Sequence, residues 1–166
     1  MLENSDSEQI EKSVTDEKFI TEMKVSVTPT DYVNGFNIRP GFYRDFGAIV
    51  TPGGVSFTIH SRKATAIKLA LFKPNADEPY AIIPFPENYR IGNVHSMIVF
   101  GLDIETFEYA YLVDGPYNPK KGLIFDATRY LLDPYAREVS GQRLRVNQEK
   151  NRKRYRARVS INNFDW

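Results

Sequence analysis

The 166-residue sequence contains no cysteine, two histidines and one tryptophan, and each shortage removes a class of function. Without cysteine there is neither a disulfide framework nor a thiolate zinc site, and a reducing compartment is permitted. His60 and His95 have no partners at metal-ligand spacing, no serine lies in a nucleophile elbow, and Gly53-Gly54 has no phosphate-binding loop pattern around it. No metal or cofactor is expected. No stretch approaches the ~18 apolar residues of a membrane span, and the opening MLENSDSEQ lacks the basic then apolar run of a signal peptide. The expected location is cytoplasmic, without a membrane partner. The chain also falls short of the roughly 200 residues that a closed (β/α)₈ barrel needs, so one core and one domain are expected.

What is present is unevenly charged. Residues 1–35 carry net −5, residues 36–141 net 0 and residues 142–166 net +6. Residues 1–35 have few large apolar groups to offset the entropy of ordering, and read as an acidic extension, disordered or weakly helical. Extra N-terminal strands or a second docking segment are open alternatives for that stretch. The folded domain is expected over residues 36–166.

From Asp45 onward the pattern is that of strands. Val55, Phe57 and Ile59 alternate with Ser56, Thr58 and His60 after a Pro52-Gly53-Gly54 turn, which predicts a hairpin with one wet face and an outward His60. Ile67, Leu69 and Leu71 alternate with Lys68, Ala70 and Phe72, and the loop PNADEP follows. Pro79 to Pro84 suits a sheet edge. Val94 to Phe100 is apolar on both faces apart from His95 and Ser96, as a central strand requires. Tyr155, Ala157, Val159 and Ile161 alternate with Arg154, Arg156, Arg158 and Ser160, giving a last strand with one basic face. Seven or eight short strands with frequent turns predict an all-β, immunoglobulin-like two-sheet sandwich.

The stretch from Tyr109 to Gly141 organises the rest. Tyr109, Tyr111 and Val113 share one face of a strand, and Ala110 and Leu112 the other. Asp114-Gly115-Pro116 and Asn118-Pro119, with Gly122 beyond, reverse the chain around Tyr117, which leaves that ring at a loop tip. Leu131-Leu132 then runs into an Asp133-Pro134 turn that holds Tyr135.

The order DGPYNPKKG, FD, YLLDPYAR resembles the signature of the N-terminal β-sandwich of glycogen debranching enzymes, isoamylases and pullulanases. That sandwich is the early-set domain, carbohydrate-binding module family 48, which precedes an alpha-amylase-type barrel in glycoside hydrolase family 13. FGAIVTPGGVSFTIHSRKATAIKLALFKP is similar to the family's first two strands, and Phe164-Asp165-Trp166 resembles its boundary with the barrel. The resemblance runs from about Gly41 to the end.

It implies an aromatic glycan platform at Tyr117, helped by Asn118 and Lys120. Two features of glycan-binding members are missing: their strand lysine is replaced by Ala110, and residues 75–77 hold no aromatic. His95 stands where many debranching enzymes show a tryptophan. Glycoside hydrolysis normally needs two carboxyl groups flanking the scissile bond, and no acid here sits in a context that marks such a pair. Asp114, Asp126 and Asp133 lie in turns, where a side chain capping its own backbone is the ordinary arrangement.

Arg143 to Arg158 holds eight basic residues against Glu149, but lacks interleaved stacking aromatics beyond Tyr155. A connecting loop and a basic edge strand account for it without nucleic acid. The resemblance therefore implies a non-catalytic domain of a debranching enzyme whose full form hydrolyses α-1,6 branches of glycogen or starch. Weak alpha-glucan contact and docking on the barrel through Leu132, Tyr135 and Trp166 are expected. The alternative is a free-standing glucan-binding or regulatory adaptor.

Overall fold

Alternation of β-branched and aromatic residues with small or polar ones dictates the elements of the computed structural model, which describes residues 27–141 and 155–160. Among these residues, seven strands have four residues or more: β2 (Phe36–Pro40), β3 (Gly47–Thr51), β4 (Gly54–His60), β5 (Ala66–Phe72), β6 (Ala81–Pro84), β8 (Val94–Phe100) and β9 (Glu108–Asp114). Six are shorter: β1 (Asp31–Val33), β7 (Arg90–Ile91), β10 (Tyr117–Asn118), β11 (Leu123–Ile124), β12 (Glu138–Ser140) and β13 (Arg156–Arg158). Apart from β13, which falls in the expected last strand, the short pieces lie where the sequence reads as turn, loop or extension, which is why seven or eight strands are expected and thirteen are found among the described residues.

The strands form two main antiparallel sheets. One runs β1-β2-β8-β4-β3, with β7 also on β8, and the other runs β12-β13-β9-β5-β6. As the alternation predicts, Val55, Phe57 and Ile59 of β4 join Ile67, Leu69 and Leu71 of β5 and Tyr109, Tyr111 and Val113 of β9 in one core. The sheets meet at Phe57 and Tyr109, whose rings pack edge to face at 5.1 Å. Burying a side chain such as Phe57 contributes about 1.5–3 kcal/mol. The fold is the all-β, two-sheet sandwich of immunoglobulin-like type expected from the sequence, with β8 interior and β6 at an edge.

Four expectations are corrected. Residues 31–33, assigned to an extension that is disordered or weakly helical, instead form an edge strand, the alternative left open for that stretch: β1 pairs with β2, and Thr30 N donates to Ile38 O at 2.9 Å. Residues 1–26 lie outside the described residues. The second correction concerns the wet face of β4, where Ser56 and Thr58 are fully buried and only His60 is exposed. The segment 41–46 crosses that face, and its backbone satisfies the hydroxyls. Phe42 N donates to Ser56 Oγ at 3.4 Å, Thr58 Oγ1 donates to Phe42 O at 3.2 Å, and Thr58 and Ser96 share a 2.6 Å bond.

Third, β13 is not an edge strand but lies between β12 and β9, and Arg156 on its supposed basic face is buried. Its guanidinium lies 4.0 Å above the Phe72 ring and 4.9 Å from that of Tyr130. Desolvation there is offset by cation–π attraction. Fourth, Tyr117 stands on the arm of a small hairpin rather than at its tip.

Candidate functional site

That hairpin is built residue by residue from its turn signals. Asp114 Oδ1 accepts the Gly115 N–H at 2.8 Å and bends the chain out of β9. Gly115 is required by close approach: a Cβ there would stand 2.7 Å from the Phe125 ring. Phe125 thereby packs on the core and anchors the returning arm. Between the arms, Pro119–Lys121 forms a 3-10 turn, Asn118 Oδ1 accepts Lys121 N at 3.3 Å, and Gly122 N donates to Pro119 O at 3.0 Å. Asn118 thus has a structural task, while Lys120 lies exposed in the turn.

Tyr117 pairs with Ile124 and Asn118 with Leu123. Directly opposed residues in an antiparallel pair point to the same face, so Tyr117 and Ile124 stand side by side. Tyr117 is 73% exposed and Ile124 70%. Ile124 is absent from the sequence reading; the apolar triplet Leu123-Ile124-Phe125 directly after Gly122 is the signal of a returning strand that would have found it.

The second feature is the segment 131–136. Leu131 is bridged to Tyr111 of β9 by reciprocal backbone bonds of 2.8 and 2.9 Å. Asp133 then turns inward and is 2% exposed. Its Oδ1 accepts Tyr135 N at 2.8 Å and its Oδ2 accepts the Tyr109 hydroxyl at 2.7 Å. Burial raises the Asp133 carboxyl above its ordinary range, against the opposing effect of those two bonds. Burial, with the nearby carboxylate, pushes both the Tyr109 and the Tyr111 phenols up.

The turn directs Tyr135 outward, where it stacks on Phe46 with centroids 4.9 Å apart and an interplanar angle of 23°. Leu131, Leu132 and Tyr135 are all exposed, as is Phe42, at the other end of the crossing segment from Phe46. Phe46 is a contributor the sequence reading missed. Trp166 lies outside the described residues, as do residues 142–154, which hold six of the eight basic residues. Of the other two, Arg156 is enclosed by aromatic rings and Arg158 pairs with Glu138 at 2.9 Å.

The remaining sequence candidates resolve simply. Asp114, Asp126 and Asp133 each cap backbone in their own turns, as expected. Ala110 is fully buried in a small cluster with Phe72, backed by Tyr130 and Ile82, so the chain's own side chains cover the site where the resemblance places a lysine. His95 is buried, and desolvation followed by the charge of Arg90 lowers its pKa. Among the described residues no group of three or more His, Cys, Asp or Glu is placed to hold a metal ion, and no helix is long and apolar enough to cross a membrane.

The model of the family described as carbohydrate-binding module 48 (isoamylase N-terminal domain) matches residues 45–136. The chain belongs to this family. Similar curated proteins include the chloroplastic isoamylase SU1 of Zea mays, 34% identical over 106 residues, which cover 61% of this chain and 13% of that protein. The glycogen debranching enzyme of Serratia proteamaculans (strain 568) is 34% identical over 105 residues, covering 63% and 15%. This carbohydrate-binding module 48 chain thus spans less than a fifth of the length of either relative. A solved structure, the catalytic module of the multi-modular glycogen-degrading pneumococcal virulence factor SpuA, shares the fold with a TM-score of 0.54 at 15% identity, covering 74% of this chain and 17% of that one.

Proposed function

We propose that this domain is the non-catalytic N-terminal unit of a cytoplasmic debranching enzyme acting on α-1,6 branches of glycogen or starch. In this reading Leu132 and Tyr135, with Trp166, dock on an alpha-amylase-type barrel, and Tyr117, with Asn118 and Lys120, touches alpha-glucan weakly. The family match over residues 45–136 carries the proposal. Two features of the site support its division of labour. The exposed Tyr117 ring on an anchored hairpin offers a flat apolar face to a pyranose, with the Lys120 ammonium to donate to its hydroxyl oxygens. The acids expected to be structural are engaged in turns, which leaves them without the paired geometry that glycoside hydrolysis uses.

Titration of the purified chain with linear and branched maltooligosaccharides tests the binding half. Binding in the high micromolar to millimolar range that weakens in Tyr117→Ala is expected; binding unaffected by that change would place the site elsewhere. The purified chain is also expected to release no reducing ends from glycogen or pullulan. Release abolished by changing one acid in this chain would overturn the non-catalytic assignment.

A further inference from the structure

We infer that Ile124 is the second half of the carbohydrate platform, so that alpha-glucan lies across the Tyr117–Ile124 pair rather than on a lone ring. This rests on the proposed glucan binding at Tyr117 and adds a residue to it. The register places the two residues directly opposite each other, where Cβ atoms of an antiparallel pair stand about 4.5–5.5 Å apart on one face. Ring and aliphatic side chain together make one apolar strip wider than a single ring. Each leaves most of its surface to solvent, where adjoining apolar groups add to aggregation liability and mark a place for a ligand or partner.

The strip is also held in place before any ligand arrives. Phe125, on the opposite face from its neighbour Ile124, is seated against Gly115 and the core. The Asn118 cap and the Gly122 to Pro119 bond close the far end. A ligand therefore meets an anchored surface and loses less affinity to ordering it. Lys120 and Lys121 project from the turn joining the two arms, which puts ammonium donors for sugar hydroxyls at one end of the strip. An apolar strip with donors at its rim suits the alternating apolar faces and hydroxyl edges of a glucan chain. The family of the matched segment favours this occupant over a second copy of the chain.

The test uses the full chain and maltoheptaose as the probe. Backbone amide shifts and the dissociation constant are followed by NMR for the wild type, Tyr117→Ala, Ile124→Ser and Ile124→Trp, with sedimentation of each protein alone. Shifts over residues 117–124 are expected. Ile124→Ser should weaken binding about fivefold, in keeping with loss of part of an apolar side-chain contact. Ile124→Trp should tighten it about threefold by widening the stacking surface. If Tyr117→Ala weakens binding while both Ile124 variants match the wild type, the two-residue platform is wrong and the single-ring reading stands. If the wild type binds no maltoheptaose, both fail. A concentration-dependent dimer abolished by Ile124→Ser would assign the strip to a second copy and also overturn the inference.

Discussion

Tyr109 and Asp133, one on the central strand β9 and the other in the 131–136 segment, are joined by a buried 2.7 Å hydrogen bond from phenol to carboxylate. The same carboxylate holds the Tyr135 N–H. One side chain therefore ties the core, through Tyr109 against Phe57, to the exposed ring that stacks on Phe46. Burial raises the pKa of this carboxyl, and its two hydrogen bonds oppose that effect without cancelling it. An unpaired buried carboxylate is costly when ionised.

The sign of the pH effect follows. Asp133 has a folded pKa above its ordinary 3.8, so the folded domain binds this proton more tightly than the unfolded chain does. Its stabilising contribution is fully present below the unfolded value and is lost as pH rises through the folded one. Relative to Asp133→Asn, which keeps an acceptor for Tyr135 N, the wild type should gain stability as pH falls from 7 toward 4. Urea midpoints of the two proteins across that window measure it. A gap between them that is constant with pH would show that Asp133 titrates like a solvated carboxyl.

Much of this was legible in residues, and the misses share a cause. Alternation in β4, β5 and β9 identified the core faces, because a period of two assigns each side chain to a side. The turn aspartates were equally readable, since an Asx cap is a local interaction. Alternation does not say what covers the other side. Ser56 and Thr58 look solvated until residues 41–46 cross them, and Arg156 looks like an exposed cation until Phe72 and Tyr130 enclose it. The Tyr117–Ile124 pairing was hidden for a related reason: register across a six-residue return depends on the Asn118 cap and the 3-10 turn, which composition does not display.

The family match begins at residue 45, yet a chain cut there should fold poorly. It would lack β2, which covers one side of β8, and Ile38, which is fully buried in the core. It would also lack the cover over Ser56, Thr58 and Ser96. Ile38→Ala alone should cost about 2–5 kcal/mol as a large-to-small core change, and the unpaired β8 edge invites aggregation. Expression of residues 45–166 beside the full chain, with thermal melts of both, checks this. Equal melting temperatures would show that β1 and β2 are dispensable.

Arg156→Lys keeps the charge of β13 and removes the guanidinium that lies over the Phe72 ring and beside that of Tyr130. A lysine cannot reproduce that geometry, and a desolvated cation–π contact is worth about 2 kcal/mol. The substitution should therefore lower stability by about 2 kcal/mol in urea denaturation. The loss should change little between low and high salt, because the enclosed group is screened less than an exposed pair such as Arg158–Glu138. A neutral result would mean that the aromatic enclosure contributes nothing beyond packing.

The docking role of Leu132 and Tyr135 can be separated from a core role by stability alone. Both are exposed, Tyr135 by 46%, and Tyr135 rests on Phe46 above Gly47. Gly47 has a φ of +87°, and a Cβ there would lie 3.0 Å from the Tyr135 Cβ and 3.1 Å from its carbonyl oxygen, so the two backbones approach closely and the surface has a fixed shape. Leu132→Ser should change stability by no more than about 0.5 kcal/mol, as at an ordinary surface site. Tyr135→Ser should cost about 0.5–1.5 kcal/mol, the worth of its aromatic pair. Both should reduce binding of a hydrophobic fluorescent dye to the folded chain, because they remove apolar surface that a neighbouring domain would cover. Losses of about 2–5 kcal/mol, the range for core truncations, would assign these side chains to the sandwich's own interior and remove the case for a docking face.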